Sequence, residues 1–478
     1  MSEGNMEAKE KLNVMLFPFP GQGHLIPTSD MARAFSERGV RITIVTTPLN
    51  VPTLRRTIGK NSDSIEFLTI KFPSAEAGLP EGCENTESIP SSNLIPAFFM
   101  ATTMLQPQLE HLLLQHHPHC LIASAFFPWA SQSAAKFNIP RLLFHGTGVF
   151  AMCASECLRL YQPQTNLSSD SDLFVIPHLP GNIQMTRMML PENDGEAKYA
   201  QLLQAIKESE DASLGVIVNS FYELEKVYAD YYEKLRGRKA WFVGPLSLCN
   251  QQQDRGMRGK EASVDEGDIL KWLDSKKSNS VVYVCFGSIA NFSESQLREI
   301  ARGLEDSGQE FIWVVRRSDK EWLPEGFERR TEGRGMIIRG WAPQLLILDH
   351  RAVGAFVTHC GWNSTLEAVS AGVPMVTWPV SAEQFYNEKL VTEILEIGVP
   401  VGVKKWSRIV GDSVGSEALE KALKRIMVGE EAETIRNRAH KLSEMARTAV
   451  ECNGSSSCSL TDLIQRLQSI RNFPKSSE

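Results

Sequence analysis

The sequence predicts an α/β protein made of two doubly wound parallel-sheet domains, and three observations carry that expectation. Near the N-terminus an apolar run from Val14 to Pro18 meets the turn Gly21-Gln22-Gly23-His24. A helical stripe of Met31, Ala34 and Phe35 follows, then a second apolar run from Val40 to Thr46. This is the β-turn-α-β opening of a doubly wound sheet. Past the middle of the chain the pattern restarts with Val281 to Phe286, near-continuous in apolar residues as a strand buried on both faces requires. Between the two lie residues 247–264, with three consecutive glutamines, the run Asp254 to Lys260 and little apolar content, which reads as a linker. The expected division is a first domain over 1–246, the linker 247–264, a second domain over 265–455 and a terminal helical segment over 456–478.

In the first domain the helix after the turn is expected to begin near Pro27, a residue suited to a first helical turn, and to stop at Gly39. Cys120 to Ala123 and Arg141 to Phe144 are further strands, and Phe150 to Tyr161 is a helix. Residues 162–200 form a long surface excursion, and Gly215 to Asn219 is a strand before Trp241 to Pro245 closes the domain. In the second domain Ser293 and Gln296 make a capping box for a helix that buries Leu297, Ile300, Ala301 and Leu304 and ends at Gly308. Phe311 to Val315 and Gly335 to Ile338 are strands. Ala352 to Val357 is a strand that ends at Thr358-His359-Cys360-Gly361. A helix follows it, with Asn363, Ser364 and Thr365 as capping oxygens and a stop at Gly372, and Met375 to Trp378 is the next strand. Residues 417–428, 431–450 and Leu460 to Arg471 are helical.

Composition narrows the function. The 478 residues carry a formal charge of −7, with both signs mixed along the chain, so nucleic acid and anionic membrane are poor partners. Nine cysteines without a CxxC pair read as reduced thiols. The N-terminal Glu3, Glu7 and Glu10 do not suit a signal peptide, and no apolar run reaches membrane-spanning length. A cytoplasmic monomer is the expectation.

Two turns carry chemistry. The strand-turn-helix at Thr358 to Glu367 presents the free amides of a first helical turn, a site for phosphate. The Gly21-x-Gly23 turn resembles a dinucleotide fingerprint, but Ile26 stands where the third glycine is required, which argues against a nicotinamide enzyme. His24 lies at the carboxyl end of the first strand, where a neutral imidazole is a candidate general base. His116, His117 and His119 read as a solvated loop rather than a metal site, and Cys153 with Cys157 as packing residues.

The stretch from Trp341 to Gln384, opening Trp-Ala-Pro-Gln and closing Glu-Gln, closely resembles the signature of the plant secondary-product UDP-glycosyltransferases, an inverting family with the GT-B fold. Phe19 to His24, Glu76 to Cys83 and Val284 to Ser288 extend the resemblance over most of the chain, and it looks most like the flavonoid and triterpenoid subgroup. The resemblance implies two Rossmann-like domains facing across a cleft, with a terminal helix crossing back onto the first. It makes His24 the catalytic base. Trp341 would stack on uracil, Ala342 and Gln344 would read the nucleoside, and Glu367 would accept from both ribose hydroxyls. Ser288, His359, Asn363 and Ser364 would hold the diphosphate, while Trp362, Glu383 and Gln384 would face the sugar; Gly23 and Gly361 complete the donor-site candidates. Trp362 argues against glucuronic acid and Gln384 favours glucose. Residues 73–100 and 162–200 would wall the acceptor pocket, with Phe19, Leu94, Phe126, Thr147, Met188 and Ser381 as candidate contacts. No metal or cofactor is implied beyond UDP-glucose as co-substrate.

One departure matters most. In the family the strand at Cys120 to Ala123 usually ends in an Asp that hydrogen-bonds the catalytic histidine, and this chain has Ser124 there. Ser381 replaces a common aromatic residue and would widen the site beside the sugar. The expected activity is transfer of glucose from UDP-glucose to a hydrophobic plant metabolite, a flavonoid or related polyphenol. The linkage is through oxygen, or through carbon because of Ser124. The alternatives are a triterpenoid glucosyltransferase and a UDP-sugar-binding protein without turnover.

Overall fold

The computed structural model describes residues 11–59, 65–191, 197–249, 256–288, 290, 292–317, 321–408 and 411–472. Glu3, Glu7 and Glu10 and residues 250–255 of the expected linker lie outside these residues. Two parallel sheets dominate. The first contains β1 (Asn13–Phe17), β2 (Arg41–Thr46), β3 (Ile65–Thr69), β4 (Cys120–Ser124) and β5 (Arg141–His145). After a two-stranded ribbon of β6 (Phe174–Val175) and β7 (Gln184–Met185), the sheet is extended by β8 (Gly215–Val218) and β9 (Ala240–Phe242), in the order β3-β2-β1-β4-β5-β8-β9. The second sheet has β10 (Val281–Cys285), β11 (Glu310–Val315), β12 (Gly335–Arg339), β13 (Val353–Thr358), β14 (Met375–Thr377) and β15 (Gly398–Pro400), in the order β12-β11-β10-β13-β14-β15. All its pairings are parallel. The expected pair of doubly wound α/β folds is present.

By contact density the chain falls into two compact units: Met1–Phe144 with Leu202–Val216 and Ser459–Glu478, and His145–Gln201 with Ile217–Cys458. Within the first, Met15, Phe17, Leu121 and Ala123 from adjacent strands bury one sheet face against Phe98, Leu105, Leu109, Leu113 and Phe127. Each fully buried Phe or Leu contributes about 1.5–3 kcal/mol. Within the second, Tyr283 stacks on Phe356 at 5.0 Å, and Phe286, Phe292 and Trp378 meet edge to face.

Four local expectations are corrected. The first helix spans Gln22–Ser36 and so starts five residues before Pro27. Gly21 is extended, and the carboxylate of Glu87 accepts from Gln22 N at 3.0 Å, supplying the cap that Pro27 seemed to mark. The capping box at Ser293 is half made: Ser293 Oγ accepts from Gln296 N at 3.2 Å, but the Gln296 side chain bonds both backbone groups of Val414 at 2.8 Å. The helix after β13 spans Trp362–Ala371 with Gly361 as its N-cap and no side-chain cap, so Asn363, Ser364 and Thr365 lie inside its first turns. The histidine cluster is not a simple loop either, because His116 ends a helix, Gln106–His116, and His119 Nδ1 accepts from Asn13 N at 2.8 Å.

Candidate active site

The strand order of each sheet reverses once, between β1 and β4 and between β10 and β13, and ligands of doubly wound folds bind outside the carboxyl ends of strands at such a point. Several of the candidate residues lie there. Gly23 and His24 follow β1 in the first turn of the Gln22–Ser36 helix, and Ser124 ends β4, one residue past the Phe17–Ala123 pair. In the second sheet Ser288 follows β10, and His359, Gly361 and Trp362 follow β13, just past the Cys285–Thr358 pair.

At the first reversal the surroundings are aromatic. The His24 ring meets Phe19 edge-on at 5.5 Å and Phe126 at 5.4 Å, and its Nδ1 is buried. Phe19 also stacks on Phe99 at 5.5 Å, and Leu94 packs against the same cluster. Ser124 is buried, and its hydroxyl accepts from Phe126 N at 3.3 Å, so the serine holds the loop that carries Phe126. Beneath this loop lies the buried guanidinium of Arg141. It donates to the carbonyls of Ser124 and Phe127, both at 3.1 Å, and to the hydroxyls of Ser131 and Ser209. Those partners are neutral, and burial lowers the Arg141 pKa to about 9.

The second reversal is polar. Cys360 takes φ 63° to turn the chain from β13 into the helix. The His359 ring is wedged between two glycines: a Cβ on Gly287 would come within 2.6 Å of it and one on Gly361 within 2.4 Å. Although the residue is only partly buried, the protein packed around the ring pushes its pKa down to about 4, so the imidazole is neutral at neutral pH. Its Nδ1 is buried without a hydrogen-bond partner among the described residues. A neutral imidazole beside a helix start without a side-chain cap is a donor set for a phosphate oxygen.

The residues expected to read the nucleoside are joined by hydrogen bonds. Gln344 Nε2 donates to Glu367 Oε2 at 2.7 Å and to Ser364 Oγ at 3.1 Å, and Tyr283 donates to Gln344 Oε1 at 3.4 Å. Ala342 is buried, and Trp341 is half-buried with Nε1 lacking a hydrogen-bond partner among the described residues. Among the residues expected to face the sugar, Glu383 accepts from Trp362 N and from Asn387 at 3.3 Å, and burial raises its pKa. Gln384 Oε1 accepts from Val380 N and Ser381 N at 2.8 and 2.9 Å, which commits its oxygen to the turn. Trp362 is buried, its Nε1 donating to the Asn219 carbonyl at 2.7 Å.

Of the remaining acceptor candidates, Thr147 carries a buried hydroxyl without a hydrogen-bond partner among the described residues, immediately before Gly148. A Cβ on Gly148 would lie 2.6 Å from Trp362 Cη2 and 2.7 Å from Glu225 Oε1. Glu225 in turn accepts from Phe150 N at 2.8 Å, capping the helix Val149–Tyr161, and burial raises its pKa. Met188 is half-buried, and its carbonyl accepts from Trp406 N at 2.7 Å. Sequence reasoning missed Glu87, Arg141, Glu225 and Arg258. Each acts through a partner remote in sequence, and nothing in the local pattern marks it. Among the described residues no group of three or more His, Cys, Asp or Glu side chains could hold a metal ion.

The family model for UDP-glucoronosyl and UDP-glucosyl transferase matches residues 237–447, and that for the glycosyltransferase N-terminal domain matches 10–248. The chain is 55% identical to the UDP-glucose flavonoid 3-O-glucosyltransferase 7 of Fragaria ananassa, over 97% of this chain and 98% of the relative. It is 54% identical to the scopoletin glucosyltransferase of Nicotiana tabacum, over 95% and 98%. Among solved structures it is similar to Glycyrrhiza uralensis UGT73P12 complexed with glycyrrhetinic acid 3-O-monoglucuronide, with a TM-score of 0.91 and 41% identity over 97% of this chain and 96% of that one.

Proposed function

The chain belongs to the UDP-glucoronosyl and UDP-glucosyl transferase family and is a UDP-glycosyltransferase of the GT-B fold, and from that premise we propose that it moves glucose from UDP-glucose, with inversion, onto the hydroxyl of a flavonoid or related polyphenol. The observation that carries the reading is the bonded set Gln344, Ser364 and Glu367 beside a helix start without a side-chain cap and a neutral His359. These are the groups that a ribose diol and a diphosphate need.

In the proposed reaction His24 takes the proton of the acceptor hydroxyl as that oxygen bonds to the anomeric carbon. The bond from that carbon to the UDP oxygen breaks on the opposite face, and its electron pair leaves with UDP. The Trp362–Ala371 helix amides and His359 stabilise the charge that develops on the diphosphate. The aromatic surround of His24 suits a flat phenolic acceptor. The reaction draws on no cofactor beyond the co-substrate, and we assign it to a monomer in the cytosol, in keeping with cysteines that are all free.

Ser124 favours a second reading, transfer to a ring carbon. With a hydroxyl engaged by Phe126 N where a carboxylate is usual, the base is suited to acceptors that are already acidic, and an electron-rich phenolate can attack through carbon. Incubating the purified protein with UDP-glucose and a panel of flavonoids, dihydrochalcones, small phenols and triterpenes, with mass spectrometry before and after acid hydrolysis, tests both readings. Acid-labile flavonoid glucosides are expected. Acid-resistant products would establish C-transfer, and triterpene glucosides alone would move the acceptor class.

A further inference from the structure

The residues between β9 and the helix Glu266–Asp274 read in sequence as a passive linker, yet their described part is stitched onto the nucleoside residues. Ser263 N donates to the Trp341 carbonyl at 2.9 Å, and Trp341 N donates back to Ser263 Oγ at 2.8 Å. Gly340, at φ 123°, admits this approach, since a Cβ there would come within 2.1 Å of Ser263 Oγ. Asp265 then accepts from Gly267 N at 2.9 Å and starts the next helix, which anchors the segment from its far end. Five residues before Ser263, Arg258 turns inward, and its Nη1 donates to Glu367 Oε1. Both side chains of this ion pair are buried, at 8% and 5% exposure.

The other carboxylate oxygen of Glu367 is held by Gln344. A carboxylate offers about four lone-pair directions. Among the described residues Arg258 and Gln344 therefore occupy one direction on each oxygen and leave one on each, the pattern that two adjacent hydroxyl donors require. Both donors precede Glu367 in the sequence, by 109 and by 23 residues, and together they fix the plane of the carboxylate.

We infer that Arg258 is a positioning residue of the donor site, aiming the Glu367 carboxylate at a vicinal diol and thereby making ribose recognition depend on the 256–263 segment. The inference rests on the reading of Glu367 as the ribose acceptor. An arginine pointed at a carboxylate in a buried place is costly to remove alone, because the remaining charge is left without its partner, whereas removing both members together is tolerated far better. The pair is therefore testable as a pair.

The experiment measures binding of UDP and 2′-deoxy-UDP by calorimetry to the full chain and to the variants R258M, R258K, E367Q and R258M/E367Q. The wild type should prefer UDP. R258M should lose roughly ten- to a hundredfold in UDP affinity, the size of a charge-assisted hydrogen bond, and should bind the two nucleotides alike. R258K should recover part of the preference. In the E367Q background R258M should cost little more, because the arginine acts through the glutamate. The double variant also keeps the test intact should R258M fail to fold. Wild-type or tighter UDP binding by R258M, with E367Q impaired, would overturn the inference alone and make Arg258 a competitor of the ribose. Unchanged UDP binding by E367Q would overturn the ribose reading itself, and the inference with it.

Discussion

At the β1–β4 edge, His24 stands between the rings of Phe19 and Phe126, Ser124 spends its hydroxyl on a backbone amide, and the buried cation below, Arg141, is held by carbonyls and serines. At the β10–β13 edge a chain of polar side chains is tied together: Glu367 to Arg258 and Gln344, Gln344 to Ser364, Glu383 to Trp362 and Asn387. The two edges share a topology, so the difference is chemical. A fixed, highly polar ligand demands particular donors and acceptors at particular spacings. An apolar acceptor demands shape and a base, and aromatic residues supply shape in many combinations.

The comparison can be broken where its effects are largest. Trp341→Ala removes the surface proposed to stack on uracil, and it should raise the KM for UDP-glucose by roughly ten- to a hundredfold, the worth of one base–aromatic stack, with the acceptor KM unchanged. Equal rises for both substrates, in steady-state kinetics, would mean the polar edge is not reserved for the donor.

Gly148→Ala probes the packing that holds Trp362. Its methyl group would sit 2.6 Å from the indole and 2.7 Å from the Glu225 carboxylate, an overpacking worth about 1–3 kcal/mol of stability. A thermal melt reads this directly, and an unchanged midpoint would mean that the Thr147–Gly148 turn yields.

His359 gives the polar edge a pH signature. Its folded pKa of about 4 lies below the ordinary 6.5, so the unfolded chain binds the extra proton as pH falls between those values. This contribution leaves stability untouched above about pH 6.5 and removes of order 2 kcal/mol by pH 4–5. Denaturant titrations of the wild type and His359→Gln across that window should diverge, with the variant the flatter of the two.

Ser124→Asp sharpens the contrast from the other side. A carboxylate there should stabilise the imidazolium of His24 and raise O-transfer to weakly acidic phenols by about tenfold, corresponding to a pKa shift of about one unit. No change, or a loss, in initial rates would show that the loop held by Ser124 and Arg141 has been built around the serine.

Legibility in the sequence follows the same divide. The turn from β13 into its helix was readable because Thr358-His359-Cys360-Gly361 and the residues after it are contiguous, and their order states the geometry. The start of the first helix is not legible locally because its cap, Glu87, lies 65 residues away, and Pro27 imitates the local signal. Ser293 and Gln296 look locally like a complete capping box because the true partner of Gln296 is 118 residues distant. Arg258 was hidden among polar residues that any linker would contain, and only folding shows that it is buried against Glu367. Local rules find elements and contiguous turns, while long-range pairs of single charges leave no periodic trace.

The division of labour between the two edges is the central claim, and one comparison tests it most directly. Wild type and His24→Ala are assayed side by side for transfer from UDP-glucose to a flavonol, followed by mass spectrometry, and for UDP affinity by calorimetry. The account predicts that the variant binds UDP as the wild type does and loses transfer by roughly a hundred- to ten-thousandfold, the range of general-base catalysis. Transfer at the wild-type rate, or UDP binding lost together with turnover, would contradict it.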